Sequence, residues 1–237
     1  MSLTARSGGH AGIDAATGYR RRMSPSSTGE PADAPGVEPA RQSASRRTTA
    51  APRARRHDPA RRDRIIDACL EVIAEHGVGG TSHRRVAAAA DVPLGSMTYH
   101  FDGRDELLRE AFSRFADQMA ARVEHRMAGA RTRREALAAF AANIGQDVFS
   151  SQRELIISQE LYTLAARRPE FRDITVAWMA RTRATLAPYV DPDTAVMLDA
   201  INEGLSLHRA LHTAPSDPRL ISVALERLTA RDQRRQV

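Results

Sequence analysis

Residues 81–101 read TSHRRVAAAADVPLGSMTYHF, and the way this stretch breaks decides the fold. Its periodicity predicts a helix over 82–90, a short break, and a second helix over 93–99. Ala87, Ala88, Ala89 and Ala90 keep the first helix thin, so a second helix can cross it closely. Val86, Val92 and Met97 are spaced to build a small core between the two. The break centres on Asp91, a residue type that tolerates a left-handed backbone better than most non-glycines. This is helix-turn-helix geometry, in which the second helix reads a DNA groove.

Outward from this stretch the same helical period continues, with no credible strand alternation. The expected helices are 59–76, 82–90, 93–99, 103–128, 132–149, 152–167, 169–187, 192–212 and 217–231. The fold class is therefore all-α, with about nine helices. Three helices open on Asp-Pro (58–59, 191–192 and 217–218), where the Asp oxygen caps free amides and Pro lacks an N–H that is not needed there. Thr132 with Glu135, and Ser151 with Glu154, form capping boxes. Gly77 is placed to stop the first helix with a left-handed residue. In that helix Ile65, Ile66, Cys69, Val72 and Ile73 share one face, which reads Cys69 as a small core residue rather than a reactive thiol.

The run from Asp58 to Phe112 resembles the N-terminal domain of TetR-family repressors. The matching residues are the first helix, the Gly77 stop, Thr81-Ser82, Val86-Ala87, Val92, Gly95-Ser96, Tyr99-His100-Phe101 and Asp105-Glu106-Leu107-Leu108. Three positions depart from the family pattern and bear on base preference: Asp91 where Gly is usual, Pro93 where Ser or Thr is common, and Thr98 where an aromatic is common. The resemblance implies a DNA-binding domain over 58–103 and a ligand-sensing, dimerising domain over 104–237. It also implies a homodimeric repressor that leaves a palindromic, double-stranded operator when a small-molecule inducer binds. An architectural DNA-binding protein without ligand control is the alternative.

Within that frame Ser82 opens the second helix and Arg84 is placed to reach a base edge, since an Arg fork matches guanine O6 and N7. Arg85 is assigned to phosphate. In the recognition helix Leu94, Ser96 and Thr98 are expected to face the bases, while Gly95 leaves room for the duplex. Tyr99, His100 and Arg104 resemble the family's phosphate clamp.

In the body, helix 103–128 resembles the family's connecting helix, and helix 152–167 is apolar nearly all round. Phe115, Met119, Phe149, Tyr162, Trp178 and Met179 are candidates to line a ligand cavity, with Asn143, Gln159 and His125 supplying polar groups. The wide apolar arcs of the last two helices place Ile201, Gly204, Leu205, His208, Leu220, Ala224 and Leu228 at a dimer interface. His208 and His212 stand at the spacing of a two-His metal site near Glu203, but no catalytic Glu lies between them. No enzyme chemistry, cofactor or metal is expected.

The net charge of +6 is local rather than global. Residues 1–57 hold ten arginines against Asp14, Glu30, Asp33 and Glu38, and the rest of the chain is balanced. Every cation is an arginine. Segment 1–57 is poor in large apolar residues, and its composition predicts disorder. A single cysteine excludes a disulfide framework and fits a reducing cytoplasm. No stretch reaches the roughly 20 apolar residues needed to span a bilayer.

Overall fold

A computed structural model of the chain describes residues 59–212 and 217–235. The tail 1–57, and the cap expected from Asp58, lie outside the described residues. Among those described, the structure is all-helical: α1 (Arg61–Gly80), α2 (His83–Ala89), α3 (Gly95–His100), α4 (Arg104–Met127), α5 (Arg133–Ala142), α6 (Gln152–Arg167), α7 (Arg172–Leu186), α8 (Pro192–Ala210) and α9 (Pro218–Arg235). No described helix is long and apolar enough to cross a membrane.

Local chemistry sets most of the boundaries. Ser82, Thr132, Ser151 and Asp191 each accept a backbone N–H three residues on. Asp217 accepts the Arg219 N–H at 2.9 Å. Gly77 breaks α1 with φ of 66° and ψ of 172°, a region essentially closed to side chains bearing a Cβ.

Two helices differ from expectation. Helix 132–149 is α-helical only to Ala142 and then widens into a π-helical turn, Asn143–Asp147. Phe149 follows with φ of +50°, so the chain reverses there instead of running straight into α6. Helix 169–187 starts as a short 3-10 turn, Pro169–Phe171, because the N–H of Phe171 bonds to the Arg168 carbonyl.

Two apolar cores share α4 as a spine. The larger joins Ile65, Ile66, Cys69 and Ile73 of α1 to Val86, Met97 and Phe101, then to Leu107, Phe112 and Phe115 of α4, and on to Ile157, Leu161 and Trp178. The smaller gathers Val123 and Met127 of α4 with Phe140, Ile144, Leu186, Leu198 and Leu225. Each large side chain removed from water stabilises the fold by about 1.5–3 kcal/mol, so these cores dominate the energetics. Arginine forks orient the helices around them. Arg114 of α4 grips Asp63 and Asp67 of α1, and Arg181 of α7 spans Asp117 and Glu124 of α4. Such part-exposed pairs add only about 0–1 kcal/mol each, and their contribution is mainly to register.

Cys69 is fully buried, and burial pushes its thiol up to about 12. It is a core residue, as its place on the apolar face of α1 predicts.

Candidate nucleic-acid interface

The turn between α2 and α3 is built by backbone hydrogen bonding. Asp91 has φ of +51°, its N–H bonds to the Ala88 carbonyl, and the Val92 N–H reaches back to Ala87 at 3.0 Å. This pair of bonds closes the helix with a left-handed residue where Gly is usual. Val86 and Met97 are fully buried beneath the crossing, and Ala87 and Ala90 face inward with them. Ala88 and Ala89 are exposed, so only half of the alanine run makes the close contact.

Above this small core the outward side chains gather on one surface. Ser82, Arg84, Arg85, Leu94, Gly95, Thr98 and Tyr99 are all exposed, and His100 is half-buried. Tyr99 is 80 % exposed and Leu94 is 50 % exposed, large values for residues with so much apolar surface. The Tyr99 and His100 rings meet edge to face at 4.9 Å. Behind them Phe101 is buried under the Arg62 guanidinium, which holds α1 across the base of α3. A Cβ built on Gly95 would meet nothing within 4 Å, so the chain itself does not require glycine there.

One expected contact is corrected, and two arginines make bonds within the chain. Ser96 is buried at 8 % exposure and cannot face bases, because it lies on the same side of α3 as the α2 crossing. Arg85 is turned back, donating to the Gly80 carbonyl. Arg104 likewise donates to the Val78 carbonyl, at the corner between α1 and α2.

The residue sets match known proteins at this point. Residues 65–111 match the family of bacterial regulatory proteins of the tetR type. A crystal structure of the regulator SCO7518 from Streptomyces coelicolor A3(2) is 50% identical, with a TM-score of 0.69, and the match covers 72% of this chain and 99% of that one. The multidrug binding protein EbrR, in complex with ethidium, is 37% identical with a TM-score of 0.63, over 73% of this chain and 99% of that one. The regulator BetI of Burkholderia thailandensis is 31% identical over 167 residues, 66% of this chain and 85% of BetI. This chain belongs to the TetR family. It is a helix-turn-helix transcriptional regulator with the family's helical body behind the DNA-binding head. Against the curated repressor KstR2 of Rhodococcus jostii the chain spans 62% of that protein, at 25% identity.

In the body of this TetR-family chain, Phe115, Met119, Asn143, Phe149 and Trp178 are buried, while Tyr162 and Met179 are half-buried. Phe115, Tyr162 and Trp178 come together: the Tyr162 ring lies parallel to Trp178 at 6.1 Å, and Phe115 meets Trp178 edge-on at 5.9 Å. Gln159 and His125 are exposed, and His125 lines a surface groove with Arg122, Arg126 and Asp147, apart from these rings. Phe149 packs by the π-helical turn and lines a separate groove with Arg209 and His212. The two-His reading also changes. α8 ends at Ala210 and His212 has φ of +53°, so the pair is not held at helical spacing.

Sequence reasoning missed the most polar part of this interior. Asp199, Asn202 and Ser206 of α8 are buried, and Glu203 accepts the Tyr162 hydroxyl at 2.7 Å. The available signal was four polar residues on one face of a helix otherwise read as an apolar arc.

Of the expected dimer residues, Leu220 is exposed, while Ile201, Leu205 and Leu228 pack against the chain's own second core. Gly204 and Ala224 are half-buried and His208 is exposed. The outermost apolar side chains on α8 and α9 are Leu220, as expected, together with Val196, Met197 and Val223.

Proposed function

We propose that this chain is a homodimeric repressor that holds a two-fold-related operator through α2 and α3 and releases it when a small molecule enters the helical body. The carrying observation is the outward face of the head, where Arg84, Leu94, Thr98 and Tyr99 stand exposed on a rigid helical crossing. Arg84 reads a base edge, with Leu94 and Thr98 in apolar contact beside it. Tyr99 and His100 hold phosphates, and Ser82 fixes the start of α2. Arg85 and Arg104 shape the corner behind this face rather than reading sequence.

The exposed apolar side chains Val196, Met197, Leu220 and Val223 on α8 and α9 are suited to a second copy of the chain. A two-fold dimer would set two recognition helices about 34–36 Å apart, one turn of DNA or a multiple of it. The likeness to EbrR, seen with ethidium, supports a body that admits a small molecule. Such a ligand has to favour the DNA-incompetent arrangement, since equal affinity for both shifts nothing. The chain works by binding, in the cytoplasm where its operator lies.

Footprinting on the DNA flanking its own gene tests this reading. A discrete pseudo-palindrome, lost on addition of an inducer, is the expected result. Uniform coverage without sequence preference would favour the architectural alternative.

A further inference from the structure

Where α1, α4 and α6 meet, a cleft of about 350 Å³ opens beside the corner that leads into the DNA-binding head. Val78 and Gly79 form one wall, Arg104 of α4 a second, and Glu160, Thr163 and Arg167 of α6 a third. A Cβ built on Gly79 would meet nothing within 4 Å, so no side chain packs over the backbone there.

Two charged side chains from different walls converge on one residue. Glu160 accepts the Val78 N–H at 2.8 Å, and Arg104 donates to the Val78 carbonyl. Among the described residues neither Glu160 nor Arg104 forms an ion pair, so a carboxylate and a guanidinium are both matched only to neutral backbone groups. Thr163 and Arg167 lie three and seven residues beyond Glu160, on the same face of α6. Both are exposed, and their side chains have no partner among the described residues.

The spacing of the Glu160–Arg104 grip is that of an amino acid. The N–H and C=O of Val78 are joined through N, Cα and C, and a free α-amino acid carries its ammonium and carboxylate on the same three atoms. It offers Glu160 and Arg104 the same donor and acceptor, with full charges in place of dipoles, and bonds between ions are the stronger. The remaining charge selects among amino acids. One carboxylate and two guanidiniums without ion pairs, Glu160, Arg104 and Arg167, are complementary to one ammonium and two carboxylates.

We propose that this cleft binds a free acidic α-amino acid, with its ammonium on Glu160, its α-carboxylate on Arg104 and its side-chain carboxylate on Arg167 beside the Thr163 hydroxyl. Binding displaces the Val78 backbone from both groups, which frees the corner of the head from α4 and α6. The site lies apart from the body interior that an inducer enters, so it adds a second input to the same head.

The test titrates the purified full-length protein with L-glutamate, with glutarate, which lacks the ammonium, and with L-glutamine, which lacks the side-chain charge. Calorimetry is expected to show L-glutamate binding at least about tenfold more tightly than either, as loss of one charge partner implies. The Val78 amide resonance should move as L-glutamate binds, because its N–H loses the carboxylate acceptor. Glu160→Gln keeps an acceptor oxygen for that N–H, so the corner stays closed, and it should abolish the preference over glutarate. Arg167→Gln changes an exposed side chain outside the core, and should abolish the preference over L-glutamine with an unchanged melting curve. Equal binding of the three compounds, no heat with L-glutamate, either preference persisting in its folded variant, or binding that leaves the Val78 resonance in place would overturn the proposal. No step involves operator DNA, so failure here and failure of the repressor reading are read separately.

Discussion

Glu160, on α6 of the body, accepts the backbone N–H of Val78 at 2.8 Å, at the corner where α1 turns into α2 of the DNA-binding head. The same residue's carbonyl is taken by Arg104 of α4, so both polar groups of Val78 are held by helices outside the turn. Gly77 makes this possible, because a Cβ there would lie 2.9 Å from a Glu160 carboxylate oxygen. The head is thus tied to α6, which also carries Tyr162, through a bond of a charged acceptor to a backbone donor. Such bonds are worth more than neutral ones.

Glu160→Ala is expected to lower folding stability by about 1–3 kcal/mol, since it leaves the Val78 N–H half-buried without its acceptor. It should also weaken the coupling between body and head. Affinity for an inducer in the body would stay near wild type while the inducer-driven change in operator affinity shrinks. Calorimetry paired with DNA-binding titrations checks this, and full retention of the inducer-driven change would remove Glu160 from the coupling.

Gly77→Ala acts on the same corner from the other side. At φ of 66° and ψ of 172° an alanine is strained whatever space surrounds it. A loss of about 1–3 kcal/mol is expected in a urea unfolding experiment. A variant as stable as the parent would mean that the corner relaxes without cost.

Gly95→Ala separates stability from recognition. The position is helical and open, so alanine should stabilise α3 by up to about 1 kcal/mol through its better helix propensity. If the duplex approaches that backbone, operator affinity falls while the melting temperature rises. Affinity that rises or holds along with stability would place the DNA elsewhere.

The head was legible in sequence because its determinants are local. The left-handed Asp91, the cap at Ser82 and the buried Val86 and Met97 all follow from spacing within twenty-odd residues of chain. What was not legible depends on which way a side chain turns once distant elements arrive. Ser96 and Thr98 look alike as small hydroxyl residues on α3, yet the crossing of α2 buries one and exposes the other. Arg85 and Arg104 read as phosphate ligands, and in the structure each also donates to a backbone carbonyl near the Gly77 corner, Gly80 and Val78 respectively. The π-helical turn at Asn143 was invisible for a related reason. Its sequence is compatible with a continuing helix, and the widening brings Asn143 to Asn202 of α8, a partner 59 residues away.

Asp199 gives a pH signature. Burial pushes its carboxyl up to about 6, and Arg183 pulls it back only part of the way. The native state therefore keeps its proton where the unfolded chain, near the ordinary Asp value, has already released it. Folding stability should fall as pH rises from about 4 to about 6, and the cost is fully present above that window. Asp199→Asn removes this cost, so it should gain about 1–3 kcal/mol at neutral pH and nothing below about pH 4. Urea titrations across that range at fixed protein concentration would show it, and an unchanged slope in the variant would assign the pH dependence to other groups.

The dimer is best tested on side chains that the chain does not need for its own core. Leu205 packs against the second core, so a charge there would damage the monomer as well as any interface. Met197 is 41% exposed and Val223 is 38% exposed, which leaves their tips free of intramolecular packing. In the proposed two-fold contact these tips are desolvated, and a charge placed there is unpaired and several kcal/mol unfavourable. Met197→Arg or Val223→Glu should therefore give a folded monomer by mass measurement at micromolar concentration, with its helical content intact. Operator binding should fall far more than stability, because the two half-sites no longer act as one ligand. A Met197→Arg protein that stays dimeric and binds its operator as the parent does would move the interface off this face of α8 and α9.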